Sequence, residues 1–298
     1  MRPSLSPLCL RGTTFFSSFG GFKTLPKRIW RAPGNRGRRV QVLLRSVLWL
    51  VNKKTLRGPW TLRVFGELKL RCYPDSIIAL HVVQRGEFHD WDTAKFITEF
   101  LRAGDRFVDA GANIGLYTLP ASRIVKNGQV VAVEPSLRNR GRLEENLRLN
   151  GITSVKIEAC ALGEKAGEMA FCDADALAHV ELDGNGPRVP VRTLDSILPE
   201  REISLLKVDV EGFELSVFQG AENAMRAGRL PVILFEMNHS HERYGVTEAE
   251  IYGFLRERGY QIARYEHDAR QLVTHGLEGD VVAFTPRGEQ LIHERLLT

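Results

Sequence analysis

The chain has 298 residues, 43% of them aliphatic or aromatic, enough to fill the core of one large domain or two small ones. Its four cysteines (Cys9, Cys72, Cys160, Cys172) show no metal-ligand spacing and no disulfide framework, which excludes a stapled secreted scaffold and points to a reducing, cytoplasmic setting. The net charge of +5 hides an asymmetry: residues 1–60 hold 13 Lys/Arg and no Asp/Glu, so the rest carries 5 − 13 = −8, and the body itself is not basic.

Residues 1–40 are rich in Arg, Ser, Gly and Pro and have little periodicity, so they read as a basic, disordered arm. The arm resembles a transit peptide in composition, could hold a membrane surface or nucleic acid, or could be a solvated tail. Val40 to Val51 is helical in pattern, but its 12 residues include Arg45 and are too few to span a bilayer. No transmembrane segment or secretory signal is expected. Thr61–Val64 and Leu68–Cys72 read as a hairpin around Phe65-Gly66-Glu67. Residues 75–102 read mostly as helix, ended by Gly104. Residues 41–103 are therefore a small hairpin/helix extension before a main domain over 104–290.

From there strand and helix alternate. Strands are predicted over 106–110, 129–134, 155–160, 204–209, 231–236, 260–264 and 280–285, and helices over 114–126, 136–150, 212–227 and 247–258. This pattern predicts an α/β fold, with a mostly parallel seven-stranded sheet covered by helices on both faces. Gly163 to Pro187 is irregular, read as a hairpin and a loop (Asp183-Gly184-Asn185-Gly186-Pro187). Pro120 conflicts with a helix from 114, because an interior proline costs about 3 kcal/mol. That helix either starts near Tyr117 or is kinked.

The segment Phe107-Val108-Asp109-Ala110-Gly111-Ala112-Asn113-Ile114-Gly115 is an apolar run ending in an acid, then a loop with two glycines, then a helix. Open α/β sheets begin a nucleoside site this way, at the carboxyl ends of their strands. A second acid, Glu134 in Val133-Glu134-Pro135, follows 25 positions after Asp109, the length of one crossover. A carboxylate there can accept two hydrogen bonds from a ribose diol. The loop is not Gly-x-Gly-x-x-Gly. Asn113 stands where backbone would meet a pyrophosphate, which argues for a nucleoside without a diphosphate, such as S-adenosylmethionine.

With Ala161-Leu162-Gly163, Thr193-Leu194-Asp195 and Leu206-Lys207-Val208-Asp209-Val210-Glu211-Gly212-Phe213-Glu214 in the same order, the set resembles the FkbM family of S-adenosylmethionine-dependent methyltransferases over residues 104–265. The resemblance implies a Rossmann-like class I methyltransferase sheet with a reversed last strand. It also implies O-methylation of a sugar, glycan, polyketide or other small-molecule acceptor. Asp109, Gly111, Asn113 and Gly115 would cradle the methionine and ribose portion, Glu134 the ribose hydroxyls, and Ala161 and Leu162 the adenine. Asp209-Val210-Glu211-Gly212 replaces the Asp-Pro-Pro-Tyr type loop of amino-group methylation, which weighs against base or amide N-methylation.

A sulfonium methyl is already activated, so positioning and a base near the acceptor hydroxyl supply the catalysis. Asp209, Glu211 and His239 are the catalytic candidates, with Glu236 and His241 also near strand ends. Lys207 reads as a structural ion-pair partner and His179 as surface. A metal set of Asp209, Glu236 and His239 can be drawn, but no metal is assigned. The competing readings are RNA methylation, with the basic arm on phosphates, and a non-catalytic cofactor-binding scaffold. No stable nucleic-acid partner is expected.

Overall fold

The structure is a computed structural model that describes residues 20–55, 58–86, 90–182, 184 and 186–297. Part of the segment predicted to be disordered is helical: α1 spans Gly20–Arg31 and packs on α2, Arg39–Thr55. Leu25 and Ile29, one turn apart, bury against Val42. Two well-placed apolar residues suffice for that contact, and the arm's composition conceals them. Residues 1–19 of the predicted arm lie outside the described residues.

The hairpin forms as predicted, β1 (Trp60–Val64) against β2 (Leu68–Cys72). The helix predicted over 75–102 is two: α3 (Ile77–Arg85) and α4 (Trp91–Phe100). The Ser76 hydroxyl accepts from the Ala79 N–H to cap α3, and Gly86 at φ 78° ends it.

In chain order, the remainder comprises β3 (Arg106–Ala110), α5 (Thr118–Val125), β4 (Gln129–Val133), α6 (Leu137–Leu149) and β5 (Val155–Glu158). Then come β6 (Ala161–Leu162), β7 (Gly167–Cys172), β8 (His179–Glu181), β9 (Arg188–Arg192), α7 (Leu194–Ile197) and β10 (Leu205–Val208). The chain continues through α8 (Glu214–Gln219), α9 (Glu222–Arg226), β11 (Val232–Met237), α10 (Glu248–Arg256), β12 (Gln261–Glu266), β13 (Gln271–Val273), β14 (Gly279–Phe284) and α11 (Pro286–Ile292). A π-helical turn, His293–Leu297, ends it.

The main sheet runs β13-β12-β14-β11-β10-β3-β4-β5. β5, β4, β3, β10 and β11 are mutually parallel, and β14 inserts antiparallel between β11 and β12. This is the Rossmann-like methyltransferase order with its reversed last strand. The three-residue β13 adds an eighth strand to the predicted seven, as an antiparallel edge on β12. Alternate residues of each strand feed two cores: Phe107, Ala132 and Val282 on one face, Val108, Val131 and Ile233 on the other. Trp49 of α2 and Leu70 of β2 belong to the first core, so the extension packs into the sheet's own interior.

The helix α5 begins just after Tyr117, which puts Pro120 in its first turn, where no helical N–H is required. The helix predicted over 212–227 breaks into α8 and α9 at Gly220, whose missing Cβ would lie 2.2 Å from the Gly163 carbonyl oxygen. The stretch read as irregular holds β7 and β8, an antiparallel pair that joins β6 and β9 on either side in a second, four-stranded sheet of order β6-β9-β7-β8.

Candidate active site

The order of the sheet reverses at β3, between β4 and β10, and a cavity of about 980 Å³ opens at the carboxyl ends of these strands. Its floor is built by close approaches of backbone. Gly111, at φ 85°, leaves no room for a side chain: a Cβ would lie 1.9 Å from the Asp209 carbonyl oxygen. Gly212 sits similarly against Ser240. Asn113 and Glu211, neither of them glycine, hold φ of 49° and 57°. Such left-handed residues cluster where surrounding structure forces a loop into a working geometry.

On the β3–β4 side, Glu134 is buried, and backbone fixes its carboxylate. The Asn113 N–H donates to Oε2 and the Ser136 N–H to Oε1, both at 2.8 Å. Burial pushes this carboxyl up to about 7 against the pull of those two bonds. Ala161 and Leu162 line the cavity beside it.

On the β10–β11 side stand Asp209, Glu211 and Glu236, with one oxygen of each within 4.8 Å of the other two. Lys207 Nζ donates to Asp209 Oδ2 at 2.9 Å and lies 3.9 Å from Asp109 Oδ1. Burial pulls the Lys207 ammonium down, but Asp209 and Asp109 more than offset it and leave it raised. Burial, then the charges of Asp209 and Glu214, push Glu211 up to about 8. Burial, then Asp209 and Glu211, push Glu236 up to about 9. Like charges this close disfavour full ionisation, so the three carboxyls form a group able to hold shared protons or a divalent cation.

A family model described as the Methyltransferase FkbM domain matches residues 109–262, which is 154 of 298 residues. The chain belongs to the FkbM methyltransferase family. It is 28% identical to "Methyltransferase 1" of Beauveria bassiana over 39% of this chain and 58% of that protein, so the match covers little more than half of that relative. It is 26% identical to "Methyltransferase sdnD" of Sordaria araneosa, covering 66% of this chain and 88% of that one. It is 25% identical to "Hexuronic acid methyltransferase AglP" of Haloferax volcanii, covering 59% and 77%.

In this member of the family the cavity collects Gly111, Asn113, Glu134, Ala161, Leu162, Asp209, Glu211 and His239 from the sequence-predicted set. Asp109 does not line it. Asp109 is 1% exposed, takes a 2.6 Å hydrogen bond from the Thr118 hydroxyl and sits behind Lys207. It therefore positions its neighbours. Gly115 also lies outside the lining, packed where a Cβ would be 2.5 Å from Leu143 Cδ1. His239 reaches only the rim: its side chain is 84% exposed and its Nδ1 lies 3.2 Å from Glu242 Oε1. Glu211 takes the place given to His239 in the drawn metal set, because its loop folds back beside Glu236. His179, read as surface, lines the cavity from β8. His81, Arg85 and Arg243 line it too, and no motif marked them. Asp280 escaped notice as well. It pairs with Glu236 across β14 and β11, accepts from the Thr93 hydroxyl, and is pushed by burial and Asp90 up to about 7.

Proposed function

We propose that the cavity binds S-adenosylmethionine and methylates a hydroxyl of a sugar, glycan or other small molecule, with residues 104–290 as the catalytic domain. The residues fit such a cofactor. Gly111 and Asn113 offer cavity-lining backbone at a loop held close to Asp209, where a Cβ at 111 would meet the Asp209 carbonyl, and Glu134 presents a backbone-fixed carboxylate for a diol. When bound, the cofactor supplies a methyl group activated on a sulfonium sulfur. The observation that carries the reading is the acid group in the same cavity. Asp209, oriented by Lys207, orients the acceptor hydroxyl and accepts its proton, while Glu211 and Glu236 hold and relay protons around it. His81, Arg85 and Arg243 would complement an acidic acceptor, and the hexuronic acid methyltransferase among the relatives supports a sugar of that kind. The test incubates purified protein with methyl-labelled S-adenosylmethionine and uronic-acid glycans, small hydroxyl compounds or total RNA. Label in an alkali-stable ether on a glycan or small molecule is expected. Label in RNA alone, or cofactor binding without transfer to any acceptor, would replace this reading.

A further inference from the structure

Helix α2 is apolar on two sides. Val42, Ser46 and Trp49 are buried. The opposite side carries Val40, Leu44, Val47, Leu48 and Val51 in one stripe, at 65%, 62%, 37%, 60% and 53% exposure. A helix on a protein surface normally turns charged residues outward. The one charged residue in this span, Arg45, instead donates from Nη2 to the Val83 carbonyl at 2.8 Å. Trp30, near the end of α1, adds an exposed indole, 44% accessible. The charges that this segment itself carries are all cationic: Lys27, Arg28 and Arg31 are exposed on α1, Lys53 and Lys54 close α2, and residues 1–60 contain no acid, although Arg36 pairs with Asp268.

We infer that the α1–α2 pair docks this protein on an anionic lipid membrane surface. The stripe enters the boundary between headgroups and acyl chains, and the surrounding Lys and Arg side chains meet lipid phosphates. The stripe runs about 17 Å at 1.5 Å per residue, against about 30 Å for a bilayer core, so the helix lies in the interface. Among the described residues no helix is long and apolar enough to cross a membrane. A second copy of the chain fits this face poorly, because it would set one acid-free basic segment against another. The docked face connects to the cavity: α2 holds α3 through Arg45, and α3 lines the cavity with Ile77, Ile78, His81 and Arg85.

Flotation of the full chain with vesicles tests this. We expect it to float with phosphatidylcholine vesicles containing about 30% phosphatidylglycerol, not with phosphatidylcholine alone, and less at high salt. Leu44→Glu/Leu48→Glu should lower the bound-to-free ratio at least about tenfold, with unchanged circular dichroism. If that variant misfolds, Lys27→Glu/Arg28→Glu should show a drop of similar direction. Absence of flotation with anionic vesicles, or flotation of a folded variant equal to wild type, overturns the proposal. A dimer in light scattering that the leucine variant dissociates, without flotation, assigns the face to a second copy and overturns it equally.

Discussion

Glu134 and Asp209 are both carboxylates at strand ends, yet their surroundings give them separable roles. Two backbone N–H groups hold Glu134 from opposite oxygens, whereas Asp209 is bonded by the ammonium of Lys207 and faces Glu211 and Glu236. Glu134→Ala should weaken cofactor binding about 10- to 100-fold, the size of one or two hydrogen bonds to a charged group, in calorimetry on a protein whose fold is intact. Asp209→Asn should instead lower kcat and kcat/KM together by about 10²- to 10⁴-fold. If it shifts only the KM for the cofactor, Asp209 is a binding group. The acids also set a pH dependence. Glu134, Glu214 and Asp280 are pushed up to about 7, Glu211 to about 8 and Glu236 to about 9, from ordinary values of 4.5 for Glu and 3.8 for Asp. A raised carboxyl binds its proton more tightly in the folded chain, so its stabilising effect is complete below about pH 4 and is lost as pH climbs through those values. The melting temperature of the free protein should fall between about pH 5 and pH 9, and Glu236→Gln should flatten the upper part of that fall. A flat wild-type profile, or an unchanged slope in the variant, would remove protonated Glu211 and Glu236 from the account. Asp209, Glu211 and Glu236 were legible in the sequence because each follows an apolar run that must be a buried parallel strand. Asp280 was not, because β14 runs the other way and brings its beginning to the edge where the other strands end.

The loop after β3 shows what an element's backbone can contribute to a site. Gly111 at φ 85° would bring a Cβ to 1.9 Å from the Asp209 carbonyl, so this glycine sets the distance between the ends of β3 and β10. Gly228 also has positive φ, at 65°, but nothing lies within 4 Å of its Cβ position. Gly228→Ala should therefore cost about 1 kcal/mol in urea unfolding, and Gly111→Ala clearly more, with loss of cofactor binding, since backbone must move. Equal costs would mean that only φ matters and that the close approach carries no strain. The strands on either side of this loop could be read from the sequence because a parallel strand buried on both faces is a continuous apolar run bounded by turn residues. The sheet formed by β6 to β9 could not, beyond a hairpin within Gly163 to Pro187. Its strands are short, one is two residues long, and their polar outer positions with the Asp183 to Pro187 turn residues give the composition of a loop. The break between α8 and α9 depends on the approach of Gly220 to Gly163, far along the chain, which no local period records, whereas the break after α3 is marked locally by Gly86.

For the whole molecule, the question is where the catalytic unit begins. Motifs place its start near residue 104, and the family match starts at 109. Packing extends further back. Trp49, 0% exposed, lies in the same core as Phe107 and Val282, and Arg45 bonds the carbonyl of Val83 on a helix that lines the cavity. By contrast α1 is held mainly by Leu25 and Ile29 against Val42, in a separate small cluster, and by Asn35 donating to the carbonyls of Ile29 and Gln84. Removal of residues 1–40 should therefore lower the melting temperature yet leave a folded protein that transfers methyl groups, because no residue lining the cavity is lost. Removal of residues 1–56 should not, because deleting a fully buried tryptophan alone costs about 3–5 kcal/mol, a large part of a domain's stability of about 5–15 kcal/mol. Thermal unfolding and cofactor titration of both truncations separate the cases. A 1–56 deletion that folds and binds cofactor like the full chain would make the extension an accessory to the methyltransferase domain, whereas its failure, beside a working 1–40 deletion, would move the boundary of the folding unit to the start of α2.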